Sequence, residues 1–166
     1  TPFVQGTIDD LLLRAIHAHN EGNLEEAVVI YTKILDSVSE KDKNVIAVIR
    51  KHRGMAYFSM NDYKNALADF EVSLQFDSKA YRTHYYKGIV YSITKDYENA
   101  CSCFETSLEI NPFQAHTNFR LAMAYYEIQE YEKSMNALNT AIKLGMDPDE
   151  CKVLNDKLVK KFGLGM

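Results

Sequence analysis

At 166 residues the chain is of single-domain size, and 46% hydrophobic with 25% charged residues is the balance of a globular protein with a buried core. A formal charge of −4 and a pI near 5.7 speak against a nucleic-acid binder, which would carry a basic stripe. No apolar run approaches the ~18 residues of a membrane span, so no membrane insertion is expected.

The three cysteines, Cys101, Cys103 and Cys151, cannot all pair within one chain, which favours a reducing compartment and a cytoplasmic location. Cys101 and Cys103 stand two apart on a predicted helix and point to different sides, which suits packing better than a zinc or redox pair. Residues 1–7 show neither an initiator methionine nor a signal-peptide pattern and read as an N-terminal extension of a processed or excised chain.

In chain order, Ile8–Asn20 reads as a helix broken at Glu21-Gly22-Asn23, and Leu24–Ser37 as a second, with Ala27, Tyr31, Ile34 and Leu35 on one face. Helices are then predicted over Val45–Met60 and Tyr63–Phe76, joined at Asn61-Asp62. Further pairs follow over Ala80–Thr94 and Tyr97–Ile110, and over Phe113–Ile128 and Tyr131–Leu144. Pro112 and Gly145 are stop signals. Asp147-Pro148-Asp149-Glu150 opens a last amphipathic helix carrying Cys151, Leu154, Leu158 and Phe162 on one side.

The pairs repeat. Arg53-Gly54, Tyr57, Asp62-Tyr63, Ala66 and Phe70 recur 34 residues later as Lys87-Gly88, Tyr91, Asp96-Tyr97, Ala100 and Phe104. They recur again, weaker, as Leu121-Ala122, Tyr125, Glu130-Tyr131, Ser134 and Leu138. With this period and these residues the chain resembles the tetratricopeptide repeat family. The resemblance implies an all-α, right-handed superhelical solenoid of four helix–turn–helix repeats, at 8–41, 47–80, 81–114 and 115–148, with 149–166 as a capping helix and tail. The step from Ala27 to Ala66 is 39 rather than 34, so about five residues are inserted before the second repeat, as a longer loop or extra helical turns. A fifth half-repeat is disfavoured, since it would bury Asp156 at the small-residue site. The small residues Ala15, Gly54, Gly88 and Ala122, with Ala27, Ala66, Ala100 and Ser134, would let paired helices approach closely, and most of the eleven tyrosines would fill the space around them.

No phosphate loop, nucleophile elbow or zinc-protease motif is present, and the histidines lack joint ligand spacing. Catalytic residues, metal ligands and cofactors are therefore not expected. The family lines a concave groove with its first helices. Carried onto this sequence, the groove residues are Leu12, Ile16, Lys51, Met55, Phe58, Arg82, Tyr85, Ile89, Phe119, Arg120, Met123 and Tyr126. The resemblance implies a non-catalytic adaptor or scaffold that takes a protein or peptide with an apolar or amphipathic segment. Lys51, Arg82, His116 and Arg120 at the groove edge would favour flanking acidic residues. The same side chains could instead pack between neighbouring first helices, in which case the chain would be a structural segment of a larger scaffold or of a self-assembling array. A family subgroup clamps acidic chaperone tails with lysines, asparagines and an arginine. The matching positions here are Lys51, Met55, Tyr86, His116 and Arg120, so only Lys51 and Arg120 fit.

Overall fold

The computed structural model describes residues 5–163, and every regular element among them is a helix. The helices are α1 (Gln5–Asn20), α2 (Leu24–Ser37), α3 (Lys43–Ser59), α4 (Tyr63–Phe76), α5 (Tyr81–Ile93), α6 (Tyr97–Ile110), α7 (Ala115–Glu127), α8 (Tyr131–Lys143) and α9 (Pro148–Lys161). Gln5, Gly6 and Thr7 belong to α1, which corrects the expected extension; residues 1–4 and 164–166 lie outside the described part. The chain divides into two compact units, Thr1–Ala80 and Tyr81–Met166.

Each helix pair turns on the same local chemistry. The first helix ends on a left-handed residue, Gly22, Asn61, Lys95 or Gln129, with φ of 85°, 60°, 63° and 64°. The next amide then reaches back five residues, as from Asp62 N–H to the Tyr57 carbonyl at 2.9 Å and from Asp96 N–H to Tyr91 at 2.8 Å. That bond closes a Schellman cap on the orphan carbonyls. The same aspartates start the second helix: Asp62 accepts from the Asn65 amide and Asp96 from the Asn99 amide.

In the first unit α1 packs on α2, α2 on α3 and α3 on α4. Ala15, Ala27, Tyr31, Ile34 and Ala66 are fully buried there. The five inserted residues divide unequally. Gly54 lies eleven residues beyond the start of α3, whereas Gly88 lies only seven beyond the start of α5, so α3 gains about one turn. The α2–α3 connection, 38–42, is one residue longer than the α6–α7 connection, 111–114.

A buried ion cluster crosses this unit. Asp69 on α4 is 2% exposed. It accepts from Arg53 Nε and Nη2, both at 2.8 Å, and from Arg50 Nη1 at 3.0 Å. Arg53 Nη1 also donates to Thr32 Oγ1 at 3.1 Å, so α2, α3 and α4 share one network.

In the second unit α5 packs on α6, α6 on α7, α7 on α8, and α9 on both α8 and α7. Val90, Ala100, Phe104, Ala122, Leu138 and Leu158 are fully buried. Gly88 faces Phe104, and Ser134 fills the small-residue site of the last pair while donating its hydroxyl to the Ala122 carbonyl at 2.6 Å. That bond removes the cost of burying an oxygen there. Asp156, whose burial a fifth repeat would have required, is exposed, and α9 instead buries Cys151, Leu154 and Leu158.

Candidate functional site

On the first unit Leu12 and Ile16 of α1 and Lys51, Met55 and Phe58 of α3 are all half-buried. They are partly packed and partly offered to solvent. Phe58 meets the Tyr63 ring edge-on at 6.2 Å, so part of its surface is taken by the neighbouring helix.

Beside this stripe the first unit stacks two titratable rings, one buried and one half-buried. Tyr31 is fully buried, its hydroxyl has no partner among the described residues, and burial pushes its pKa up to about 12. The His52 ring stacks on it, with centroids 6.0 Å apart and planes at 16°. Burial, with the nearby Lys51 charge and then His19, holds His52 at about 4. The folded state therefore favours the neutral imidazole. An unfolded chain takes up that proton first as the pH falls, so the contribution of His52 is complete above its ordinary value of 6.5 and is lost towards about 4. We expect acidification from pH 7 to 4.5 to destabilise the protein through this group by on the order of 1–2 kcal/mol, after discounting for its partial exposure. The check is a set of denaturant curves against pH; His52→Phe should flatten the profile, and an unchanged profile would contradict the assignment.

The second unit sorts its stripe differently. Tyr85, Phe119 and Tyr126 are half-buried, Arg82 and Arg120 are exposed, Met123 is 43% exposed and Ile89 only 7%. Ile89 is thus a packing residue beneath the face, which corrects its expected place in an open groove. Met123 instead opens onto a cleft of about 120 Å³ between α7 and α9. Phe119, Met123, Tyr126 and Glu127 form one wall; Glu150, Val153 (68% exposed), Leu154 and Lys157 form the other. Tyr126 is held by the Tyr131 ring at 5.4 Å and covered by the Lys157 ammonium 5.7 Å from its centroid. Sequence reading missed the α9 wall, because α9 carries no repeat signature; the signal available was Val153, an apolar residue off the buried face of that helix.

The chemistry of this arrangement is contact. Among the described residues no group of three histidine, cysteine or carboxylate side chains is placed to hold a metal ion. The three cysteines are free and buried. No helix among the described residues is long and apolar enough to cross a membrane.

The tetratricopeptide repeat family model matches residues 52–79, 81–114 and 115–144, more than half of the chain. The chain belongs to the tetratricopeptide repeat family. Among solved structures this tetratricopeptide repeat protein is similar to a MamA fragment from Desulfovibrio magneticus RS-1. The two share 21% identity and a TM-score of 0.80, with 95% of this chain and 86% of that one covered. A MamA AMB-1 structure aligns at 18% identity and a TM-score of 0.79, over 97% and 85% of the two chains. A further MamA crystal structure gives 16% and 0.76, over 88% and 80%. Likeness at these identities speaks to the fold, a tetratricopeptide-type helical solenoid. No curated protein sequence matches the chain. As a member of this family it falls among protein-interaction scaffolds.

Proposed function

We propose that this tetratricopeptide repeat protein is a non-catalytic adaptor that binds an apolar or amphipathic segment of a partner protein, with the cleft between α7 and α9 as its main anchor. The observation that carries this reading is the pairing of exposed Met123 with exposed Val153 across a cleft walled by Phe119 and Tyr126. Apolar surface held open on two packed helices usually marks a contact face. Methionine and aromatic side chains adapt to a partner helix. Arg120 is a further contact of the proposal on the second unit, and Leu12, Ile16, Lys51, Met55 and Phe58 are a stripe proposed for the first unit by itself. A cytoplasmic setting is part of the same reading, with no cofactor required.

The test is Met123→Glu with Val153→Glu. Both sites are exposed, so the helical signal and melting temperature should hold within about 1 kcal/mol of the parent while partner capture from cell extract falls at least tenfold. Undiminished capture would sink the proposal. Concentration-dependent growth of the particle in sedimentation would instead favour the alternative, a self-assembling structural segment.

Acidic chaperone tails are not the expected ligand. Met55 and Tyr86 stand where the clamp needs asparagines, so a lone carboxylate terminus would find cations without the neighbouring donors. Calorimetry should show no submicromolar binding to such a peptide; tight binding lost in Lys51→Ala would overturn this expectation.

A further inference from the structure

We infer that the second unit holds a separate recognition cleft, at the starts of α5 and α7, for an acidic side chain flanked by a bulky apolar one on a partner peptide. The inference rests on the protein-binding reading above but not on the α7–α9 cleft. The concavity measures about 410 Å³ and presents Tyr81, Arg82, Tyr85 and Tyr86 from α5, with Phe113 and His116 from the α6–α7 connection and α7. No acidic residue lines it, although the chain carries 23 acidic residues and a net charge of −4. Arg82 is exposed, and its contact among the described residues is the Tyr81 ring, 5.5 Å from the guanidinium carbon. No carboxylate among those residues pairs with it, so its fork of donors is available to an incoming oxygen pair. His116 beside it is exposed as well.

The apolar half of the cleft is equally specific. Phe113 is 79% exposed, the most exposed of the large hydrophobic side chains among the described residues. It is not on a slack loop. The Phe113 amide donates to Asn111 Oδ1 at 3.2 Å, and Gln114 Nε2 donates to the carbonyls of Asn111 and Ser107 at 2.6 and 3.0 Å. Thr117 donates its hydroxyl to Gln114 Oε1 at 2.8 Å, and the Ser107 hydroxyl donates to the Tyr81 carbonyl at 2.8 Å. These bonds tie the start of α5, the end of α6, the connection and the start of α7 into one frame. The backbone that carries the ring is thus fixed before binding, so only the Phe113 side-chain rotamer is left to order on contact with a partner. Tyr85 and Tyr86, edge to face at 5.3 Å, supply the opposing apolar surface. Charge complementarity thus selects a carboxylate at Arg82, and the aromatic frame selects its apolar neighbour.

The experiment is an NMR titration of isotope-labelled full chain with two capped peptides, acetyl-Gly-Asp-Phe-Gly-amide and its Asn counterpart. Amide shifts should be confined to residues 81–86 and 113–117, and the Asp peptide should bind about three- to tenfold more tightly than the Asn peptide. Arg82→Gln should abolish that preference while leaving a weak residual contact, and Phe113→Ser should weaken both peptides alike. Equal binding of the two peptides, absence of binding, shifts elsewhere on the molecule, or a preference that survives Arg82→Gln would each overturn the inference. Such a failure with capture through Met123 and Val153 intact would remove this cleft and leave the adaptor reading standing.

Discussion

Asp69→Asn should cost the first unit about 3–5 kcal/mol, a large part of the stability of an ordinary domain. The reason is the company the carboxylate keeps. Asp69 is 2% exposed, and the Arg53 side chain that grips it with two bonds is only 14% exposed. The asparagine preserves volume but removes the charge, leaving a desolvated guanidinium with no counter-ion and an amide nitrogen directed at cationic donors. Arg50, 32% exposed, can turn to water and contributes less of the loss. Urea denaturation followed by far-UV circular dichroism checks the magnitude. A triple replacement, Asp69→Leu with Arg53→Met and Arg50→Gln, should regain much of what the single change loses, because removing the whole charge set removes the desolvation cost. A single change within about 0.5 kcal/mol of the parent would show that the cluster is hydrated in solution.

The second large effect is expected at Gly88. A Cβ there would stand 2.6 Å from Phe104 Cε1 and 2.8 Å from Cδ1, closer than side chains tolerate. Phe104 has nowhere to retreat: it is fully buried and packs against the Tyr85 ring at 5.9 Å. Gly88→Ala should destabilise by about 1–2 kcal/mol, since the overpacking outweighs the ~1 kcal/mol that alanine gains as a helix former. Gly88→Leu should reach about 3 kcal/mol or more. Thermal melts decide it, and Phe104→Leu placed in the Gly88→Ala background should recover part of the loss. Gly54 stands in the same relation to Phe70, with Cε1 2.7 Å from a built Cβ, and should respond in the same sense.

Both predictions come from sites one repeat apart in kind, yet only one was legible before the fold was known. Gly54 and Gly88 recur at 34 residues within matching surroundings, so periodicity marks them as equivalent positions and the family resemblance implies a close helix contact there. Asp69 occupies the register position that holds Cys103 in the third repeat and Ala137 in the fourth, and Arg53 the position of Lys87 and Leu121. A carboxylate in a small apolar column was therefore the available signal. What it lacked was a partner, because Arg50 and Arg53 lie nineteen and sixteen residues away and meet Asp69 only when α3 packs on α4.

The candidate site divides along the same line. The sequence by itself determined the helix order, the joint at Asn61-Asp62 and the small-residue columns, while the stripe was carried over from the family pattern and the left-handed caps at Lys95 and Gln129 emerged with the fold. The first three depend on neighbours within one helix or on a fixed repeat distance. Tertiary structure decided which stripe residues reach solvent. Ile89 and Met123 hold the same register position 34 residues apart, yet one is 7% exposed and the other 43%. Periodicity names the face of a helix on which a side chain stands; whether that face is covered depends on the helix beside it. For Met123 that neighbour is α9, a non-repeating helix whose Val153 side stops short of closing the gap, and the cleft exists because of where α9 packs.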